Sequence, residues 1–456
     1  MTDARDGLPG PQRLLASIAI SAAVAMANLD TSIVNTALPT IARDIHASGA
    51  ASVWVVNAYQ IAMVATLLPL AALGEILGHR RVYIAGLTLF TVTSLACGLA
   101  WSLPSLVVAR ALQGLGAAGT MSVNTALIRF VYPSKILGRG MGLNALVVGI
   151  GITLGPTIAS AILSVASWHW LFLVNVPIGV VAVGLSLRAL PLNERGLHRF
   201  DPIAAGLSAG LFGLTVLGFG AVAHGASWPL VAAEWGGAAA CAYALLRREA
   251  GSPAPMLAVD LFHRPAFALS AATAVCAFIA QGLAFVSLPF LFQGSLGRSQ
   301  VATGFLMTPW PAVVAVMAPI AGRLSDRYPA GVLGGGGLVI LSAGMASLAL
   351  LPAHPSGLDI AWRMVVAGAG FGFYQSPNLR ALMESAPAHR SGAASGITAT
   401  VRLLGQGIGS ALVALCLTAS PARGPELALW LGALFAAIGS VTSFLRLIPT
   451  AGESVR

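Results

Sequence analysis

Fourteen predominantly apolar stretches, each about 20 residues long, divide this chain. They lie near positions 14–38, 52–73, 82–101, 104–128, 141–165, 169–190, 201–222, 229–247, 267–292, 301–321, 331–352, 358–380, 391–418 and 425–447. Twenty helical residues rise about 30 Å, the thickness of the hydrocarbon core of a bilayer. Strands of a membrane barrel would be about half as long and would alternate in polarity, so these stretches read as helices. The composition agrees, with 57% hydrophobic and 9% charged residues, against roughly 25% charged in a soluble domain. The expected fold is therefore all-α and integral to the membrane, with fourteen transmembrane helices.

An even number of spans places both termini on one side, and the basic residues say which. Of 25 Lys and Arg residues, 19 fall in the terminal-side segments: Arg5, Arg13, Arg80, Arg81, Arg129, Lys135, Arg139, Arg188, Arg195, Arg199, Arg247, Arg248, Arg264, Arg323, Arg327, Arg380, Arg390, Arg446 and Arg456. Only Arg43, Arg298 and Arg423 lie in the opposite loops. The positive-inside rule then makes both termini cytoplasmic, in a multi-pass protein of the plasma membrane. Arg5 and Arg13, the following apolar run and Ala25-Met26-Ala27 also fit a cleaved secretory signal. Cleavage would leave thirteen spans and reverse the charge asymmetry, so the run is read as the first span. The net charge of +10 is dispersed in ones and twos, which argues against a nucleic-acid partner.

The sequence also repeats. Gly142, Gly151 and Gly155 recur as Gly396, Gly405 and Gly409, and Arg110 with Gly114, Gly116 and Gly119 recurs as Arg363 with Gly368, Gly370 and Gly372. Glu75 matches Asp326 and Pro39 matches Pro289, all at offsets of 250 to 254 residues. The expected organisation is an N-terminal six-helix half over 1–190, a two-helix linker over 191–262 and a C-terminal six-helix half over 263–456. Parallel halves flanking a midplane site are a plan used by secondary transporters.

Enzyme motifs fail. Gly114-Leu115-Gly116-Ala117-Ala118-Gly119 matches a dinucleotide-binding string but lies inside a helix-length apolar run, where glycines serve close helix packing. The sole lysine, Lys135, follows a serine, so there is no phosphate loop. The four cysteines lie far apart in apolar runs, and the eight histidines lack metal-ligand spacing. No cofactor and no metal is expected. A membrane enzyme acting on lipid would need convergent polar catalytic residues, and none is visible.

Leu29-Asp30-Thr31-Ser32-Ile33-Val34-Asn35-Thr36-Ala37-Leu38-Pro39, Arg110-Ala111-Leu112-Gln113-Gly114, Gly142 to Gly155-Pro156, and Trp168-His169-Trp170-Leu171-Phe172-Leu173-Val174-Asn175-Val176-Pro177-Ile178-Gly179 together resemble one family. This is the fourteen-helix drug:proton antiporter branch of the major facilitator superfamily, which includes exporters of quaternary ammonium compounds and methyl viologen. The resemblance implies a monomeric exporter of lipophilic cationic drugs or biocides driven by protons. An exporter dedicated to one metabolite or natural product is the alternative. It also implies a proton-coupling role for Arg110 and conformational gating by Glu75, Arg81, Gly151, Gly155, Pro156 and Asp326. The sequence departs from the family pattern at Ala71 and Glu75, where glycine and aspartate are usual, and at Ala159 and Ser160 in place of closing glycines.

Among fifteen acidic residues, Asp30 is the one lying well inside a span. An ionisable group at that depth costs at least about 2.5–3.5 kcal/mol and marks a functional site or a structural ion pair. By helical rise, Asp30 lies about 12 Å and Arg110 about 9 Å from the same face, so the two can meet. Asn35, Tyr59, Gln113, Gln281, Trp310, Tyr374 and Arg402 are candidates for the substrate pathway. Aromatic rings among them suit a lipophilic cation, and Arg402 either lines the pathway or braces a packed pair.

Overall fold

The computed structural model describes residues 7–191, 200–223, 225–250, 255, 257–387 and 390–448. Of the basic residues counted above, Arg5, Arg195, Arg199 and Arg456 lie outside the described residues. Among the described residues all regular structure is helical. This follows from the solvent: inside hydrocarbon a backbone N–H or C=O has no water to bond, so each segment must satisfy its own groups.

The long helices are α1 (Gly10–Asp44), α2 (Trp54–Leu77), α3 (His79–Gly98), α4 (Leu103–Val131), α5 (Leu137–Val165), α6 (Trp170–Ala189) and α7 (Pro202–Ala223). They continue as α8 (Trp228–Glu249), α9 (Pro265–Phe290), α10 (Gln300–Leu324), α11 (Ala330–Ala349), α12 (Gly357–Ser385), α13 (Ser391–Ala419) and α14 (Gly424–Leu445). Thirteen of them are long and apolar enough to cross a membrane. The other, α12, has 29 residues but is less apolar because it carries Asp359, Arg363, Arg380 and Glu384. The protein is thus an all-α membrane protein with the number of long helices the apolar pattern predicts.

Sequence chemistry sets the helix boundaries. Ser102 and Ser105 form a reciprocal capping box at the start of α4, with Pro104 in the first turn between them. Asp201 accepts from the backbone N–H groups of Ile203 and Ala204 at 3.0 Å just before Pro202 opens α7. Its carboxyl, also bonded by Arg248 at 2.7 Å, is held below the usual carboxylate range chiefly by that guanidinium. Gly78 turns the chain between α2 and α3 at φ +99°, a conformation that favours glycine. Prolines inside two spans remove a backbone donor while the chain stays helical: Val174, three residues before Pro177 in α6, and Thr308, beside Pro309 and Pro311 in α10, keep right-handed helical dihedrals and bond back to the carbonyls of Trp170 and Gly304. Pro39 does not end α1, which runs on to Asp44 instead of stopping near 38. Neighbouring groups can re-satisfy a carbonyl freed by proline inside a membrane helix.

The chain divides into two compact units. The first comprises Met1–Ser48, Trp54–Leu217 and Ala232–Met256, and the second comprises Gly49–Val53, Gly218–Val231 and Leu257–Arg456. Within the first, α1 packs on α5 and α6, α4 packs on α2 and α3, and α3 packs on α6. Within the second the same scheme recurs eight helices later: α9 packs on α13 and α14, α12 on α10 and α11, and α11 on α14.

The repeated glycines make those contacts possible. A Cβ on Gly116 would meet the carbonyl of Gly86 at 2.8 Å, and one on Gly119 would meet Gly86 Cα at 2.9 Å, while Gly114 faces the backbone of Tyr59. In the second unit Gly370 takes the part of Gly116 against Gly337 and Leu341, and Gly368 takes the part of Gly114 against the backbone of Trp310. The dinucleotide-like string is therefore a close-packing face, with α4 backbone lying on α2 and α3.

Candidate functional site

In a span that must hide its polar groups, a carboxylate needs several donors, and the first unit supplies three to Asp30. Arg110 Nη1 donates to Oδ2 at 2.5 Å, and Gln113 Nε2 and Asn175 Nδ2 donate to Oδ1 at 3.0 and 3.1 Å. The cluster is buried: relative exposure is 0% for Asp30, 1% for Arg110, 0% for Gln113 and 3% for Asn175.

Helix periodicity explains why one stretch of α4 supplies two of the donors. Arg110 and Gln113 are three residues apart and so share a face. They also bond to each other, Arg110 Nη1 donating to Gln113 Oε1 at 2.6 Å. Arg110 Nε donates to the carbonyl of Val55 on α2 at 3.0 Å, and Gln113 Nε2 to Ser94 Oγ on α3 at 2.8 Å. The guanidinium carbon lies 4.2 Å from the centre of the Tyr59 ring and 5.7 Å from that of Phe172. The guanidinium and two amides are thus directed at one carboxylate, and the Tyr59 ring face lies against the guanidinium. Because the interior is of low dielectric, removing either member of a buried pair costs about 3–5 kcal/mol.

Asp30 and Arg110 meet, as their depths predict, although α1 extends 14 residues, about 21 Å, beyond Asp30 instead of the expected 12 Å. Gln113, a substrate-pathway candidate, is part of the same cluster, and Tyr59 stacks on Arg110, a cation of the chain itself. Asn35 is buried in α1, and its Oδ1 has no hydrogen-bond partner. The sequence reading did not assign Asn175. It lies inside the quoted sixth-helix string, and the one available cue was an amide among apolar residues beside Pro177.

The remaining candidates are distributed through the chain. In the second unit Trp310 is fully buried, edge-on to Phe285 at 5.5 Å, and Tyr374 is buried edge-on to Phe371 at 5.7 Å. Gln281 Oε1 accepts from Gln406 Nε2 at 3.0 Å, joining α9 to α13. Arg402 is half-buried in α13. Arg363, the sequence counterpart of Arg110, bonds Asp359 on its own helix and the carbonyl of Ser347. Its carboxylate partner among the described residues is thus on its own helix and not on α9, where the residue 250 positions after Asp30 is Ala280.

Glu75 and Arg81 are exposed at the facing ends of α2 and α3. Asp326 is exposed after α10 and accepts from Arg380, which also bonds Glu384 at 2.6 Å. Gly151 and Gly155 face α1 within the first unit. A Cβ on Gly151 would lie 3.2 Å from Asn28 Cβ, and one on Gly155 would fall inside the Ser32 side chain. Pro156 follows within α5, and Ser32 Oγ donates to the carbonyl of Ile152 at 3.2 Å. Gly142 has open space around it. In α8, Glu234 is half-buried six residues after Trp228, and its Oε2 has no hydrogen-bond partner.

Comparison with known proteins places this cluster in context. The chain matches the Major Facilitator Superfamily over residues 20–410. It is 50% identical over 444 residues to the Uncharacterized transporter YebQ of Escherichia coli (strain K12), covering 97% of each chain. It is 33% identical over 435 residues to the Multidrug resistance protein Stp of Mycobacterium tuberculosis (strain ATCC 25618 / H37Rv), covering 92% of this chain and 77% of that one. Among solved structures, a POT family transporter in complex with a thioalcohol-conjugated peptide superposes with a TM-score of 0.72 at 12% identity, over 96% of this chain and 95% of that one. That likeness concerns the fold alone.

Proposed function

The chain belongs to the Major Facilitator Superfamily and is a transporter, not an enzyme; on that footing we propose that it exports lipophilic cationic compounds across the plasma membrane in exchange for protons. Asp30 carries the proton and Arg110 is its counter-charge. The observation that supports this reading is the buried cluster around Asp30, in which one carboxylate is held by a guanidinium and two amides. A carboxylate held by donors favours its charged form, and one stripped of them in an apolar setting favours its neutral form. Alternation between two such settings takes up a proton on one side and releases it on the other. The likeness to a relative named for multidrug resistance, 33% identical, supports export of drugs, and the cationic character is part of the proposal.

In the membrane both termini face the cytoplasm, as the basic loops indicate. The two six-helix halves and the two-helix linker form the operating unit, and the protein acts as a monomer by alternating access. Glu75, Arg81, Gly151, Gly155, Pro156 and Asp326 take part in the conformational change.

The direct test is proton release from the purified protein on addition of cationic, neutral and anionic compounds. Release by lipophilic cations and not by anions is expected. Release by no compound, alongside measurable binding of one, would overturn proton coupling.

A second expectation concerns charge. One proton exchanged for one monovalent cation moves no net charge, so the membrane potential, worth about 2.3 kcal/mol per charge per 100 mV, contributes nothing. In proteoliposomes, monocation export should follow the pH difference and stay within about twofold when the potential is clamped at different values. A several-fold response at constant pH would require a second coupling group, of which Glu234 is the foremost candidate.

A further inference from the structure

The repeat that builds the two units does not extend to one row of side chains on α13. Gly405 and Gly409 press on α9 as Gly151 and Gly155 press on α1: a Cβ on Gly405 would lie 2.7 Å from Phe278 Cβ, and one on Gly409 would lie 2.5 Å from the carbonyl of Ile279. The same register pairs Arg402 with Val148 of α5 and Gln406 with Ile152. The helix pair is thus built with apolar residues at these positions in the first unit. Packing alone does not call for a guanidinium and an amide in the second.

Their setting narrows the reason. Ser395, Thr398, Arg402 and Gln406 recur every three or four residues, share one side of α13 and are all half-buried, whereas Ala394, Ile397, Val401 and Leu403 among them are buried. From the helix bounds Ser391–Ala419, Arg402 lies about 17 Å from one end and about 26 Å from the other. A half-exposed charge at that depth faces a polar, water-accessible path and not hydrocarbon. Beside it, Gln406 Nε2 donates to Gln281 Oε1 on α9 at 3.0 Å, which leaves the amide nitrogen of Gln281 as a further donor.

We infer that Arg402, with Gln281 and Gln406 beside it, is the specificity-determining residue of the second unit and takes an electron-rich oxygen of the exported compound, a carboxylate best and a carbonyl or phenolate next. The inference rests on the export of lipophilic cations proposed above and adds a requirement to it, an oxygen carried apart from the cationic centre. A guanidinium presents five N–H groups in a planar fork that fits a carboxylate through two parallel bonds, so Arg402 can keep bonds within the protein and still offer a pair to a ligand. The same charge repels a second cationic centre, so attraction and repulsion select the same class of compound.

The experiment is equilibrium binding to the purified protein, at neutral pH, of two triphenylphosphonium cations of equal length, one with a carboxybutyl chain and one with a pentyl chain. The parent should bind the carboxybutyl compound at least threefold more tightly. Arg402→Gln should weaken that binding about ten- to a hundredfold, the size expected for loss of hydrogen bonding to a charged group, and leave the pentyl compound within about threefold. Arg402→Lys, which keeps the charge and loses the fork, should lie between. It replaces the glutamine variant if that one does not accumulate, with at least a threefold loss expected for the carboxybutyl compound alone.

Equal affinities of the parent for the two compounds would overturn the inference. Losses of equal size for both compounds in a folded Arg402 variant would make Arg402 a packing brace and reject it as well. Proton release read in the same samples separates this from the export reading: binding without release overturns proton coupling and leaves the preference for the oxygen standing, whereas release with equal affinities overturns the role of Arg402 alone. A parent that binds neither compound would overturn both.

Discussion

Replacing Asp30 with asparagine is expected to reduce gradient-driven export to the level of membranes lacking the protein, at matched abundance of inserted chains. The substitution keeps the shape and one acceptor oxygen but removes the group that takes and gives a proton. Arg110 would lose its counter-charge, for which breaking a buried pair costs about 3–5 kcal/mol. Part of that loss is offset, because Arg110 keeps its bonds to the carbonyl of Val55 and to Gln113 Oε1 and its place over the Tyr59 ring. The variant should therefore insert, bind drug, and bind it with little dependence on pH. The measurements are export under an imposed pH difference and equilibrium binding across pH. Full gradient-driven export by this variant would remove Asp30 from the mechanism.

How much of this site the sequence could reveal depends on how far apart its members lie. Asp30 stood out through chemistry alone, as an acid within an apolar run, and Arg110 through helical rise measured from the same face. Asn175 had neither cue, since its partner is 145 residues away and an amide next to a proline also fits a simple helix break. The packing repeat was readable because glycine spacing is conserved between the two copies of one chain. The aromatic candidates show the opposite limit. Trp310 and Tyr374 are lodged in the core of the second unit, and Tyr59 is stacked on an arginine of its own unit. A sequence registers the presence of an aromatic residue in a span but not which side of the helix it faces. The length of α1 was misjudged for a related reason, because Pro39 reads as a stop in water and is carried inside the helix here.

Gly155 carries the other large expected effect. Gly151 and Gly155 are four residues apart and share a face of α5, while Gly142, nine residues before Gly151, points the opposite way. The structure gives that face its partner: α1, at Asn28 and Ser32, two residues on either side of Asp30. A leucine at 155 would have to displace the Ser32 side chain and push α1 off α5, an overpacking cost of about 1–3 kcal/mol. Because Ser32 is on the same turn as Asp30, the displacement reaches the carboxylate and its donors. Gly155→Leu should therefore retain drug binding and lose coupled export, giving either a proton leak or no transport. Gly142→Leu, with no atom within 4 Å of a built Cβ, should stay within about twofold of the parent. General packing damage would instead lower thermal stability and export in both variants alike. A sharper version uses the clash itself: Gly155→Ala meets the Oγ and Cβ of Ser32, so Ser32→Gly should relieve it. In a double-mutant cycle the pair should export better than Gly155→Ala alone, with a favourable coupling in the range found for residues in contact, about 0.5–3 kcal/mol. Strict additivity, or equal export by Gly155→Leu and the parent, would show that the α1–α5 contact has no part in transport.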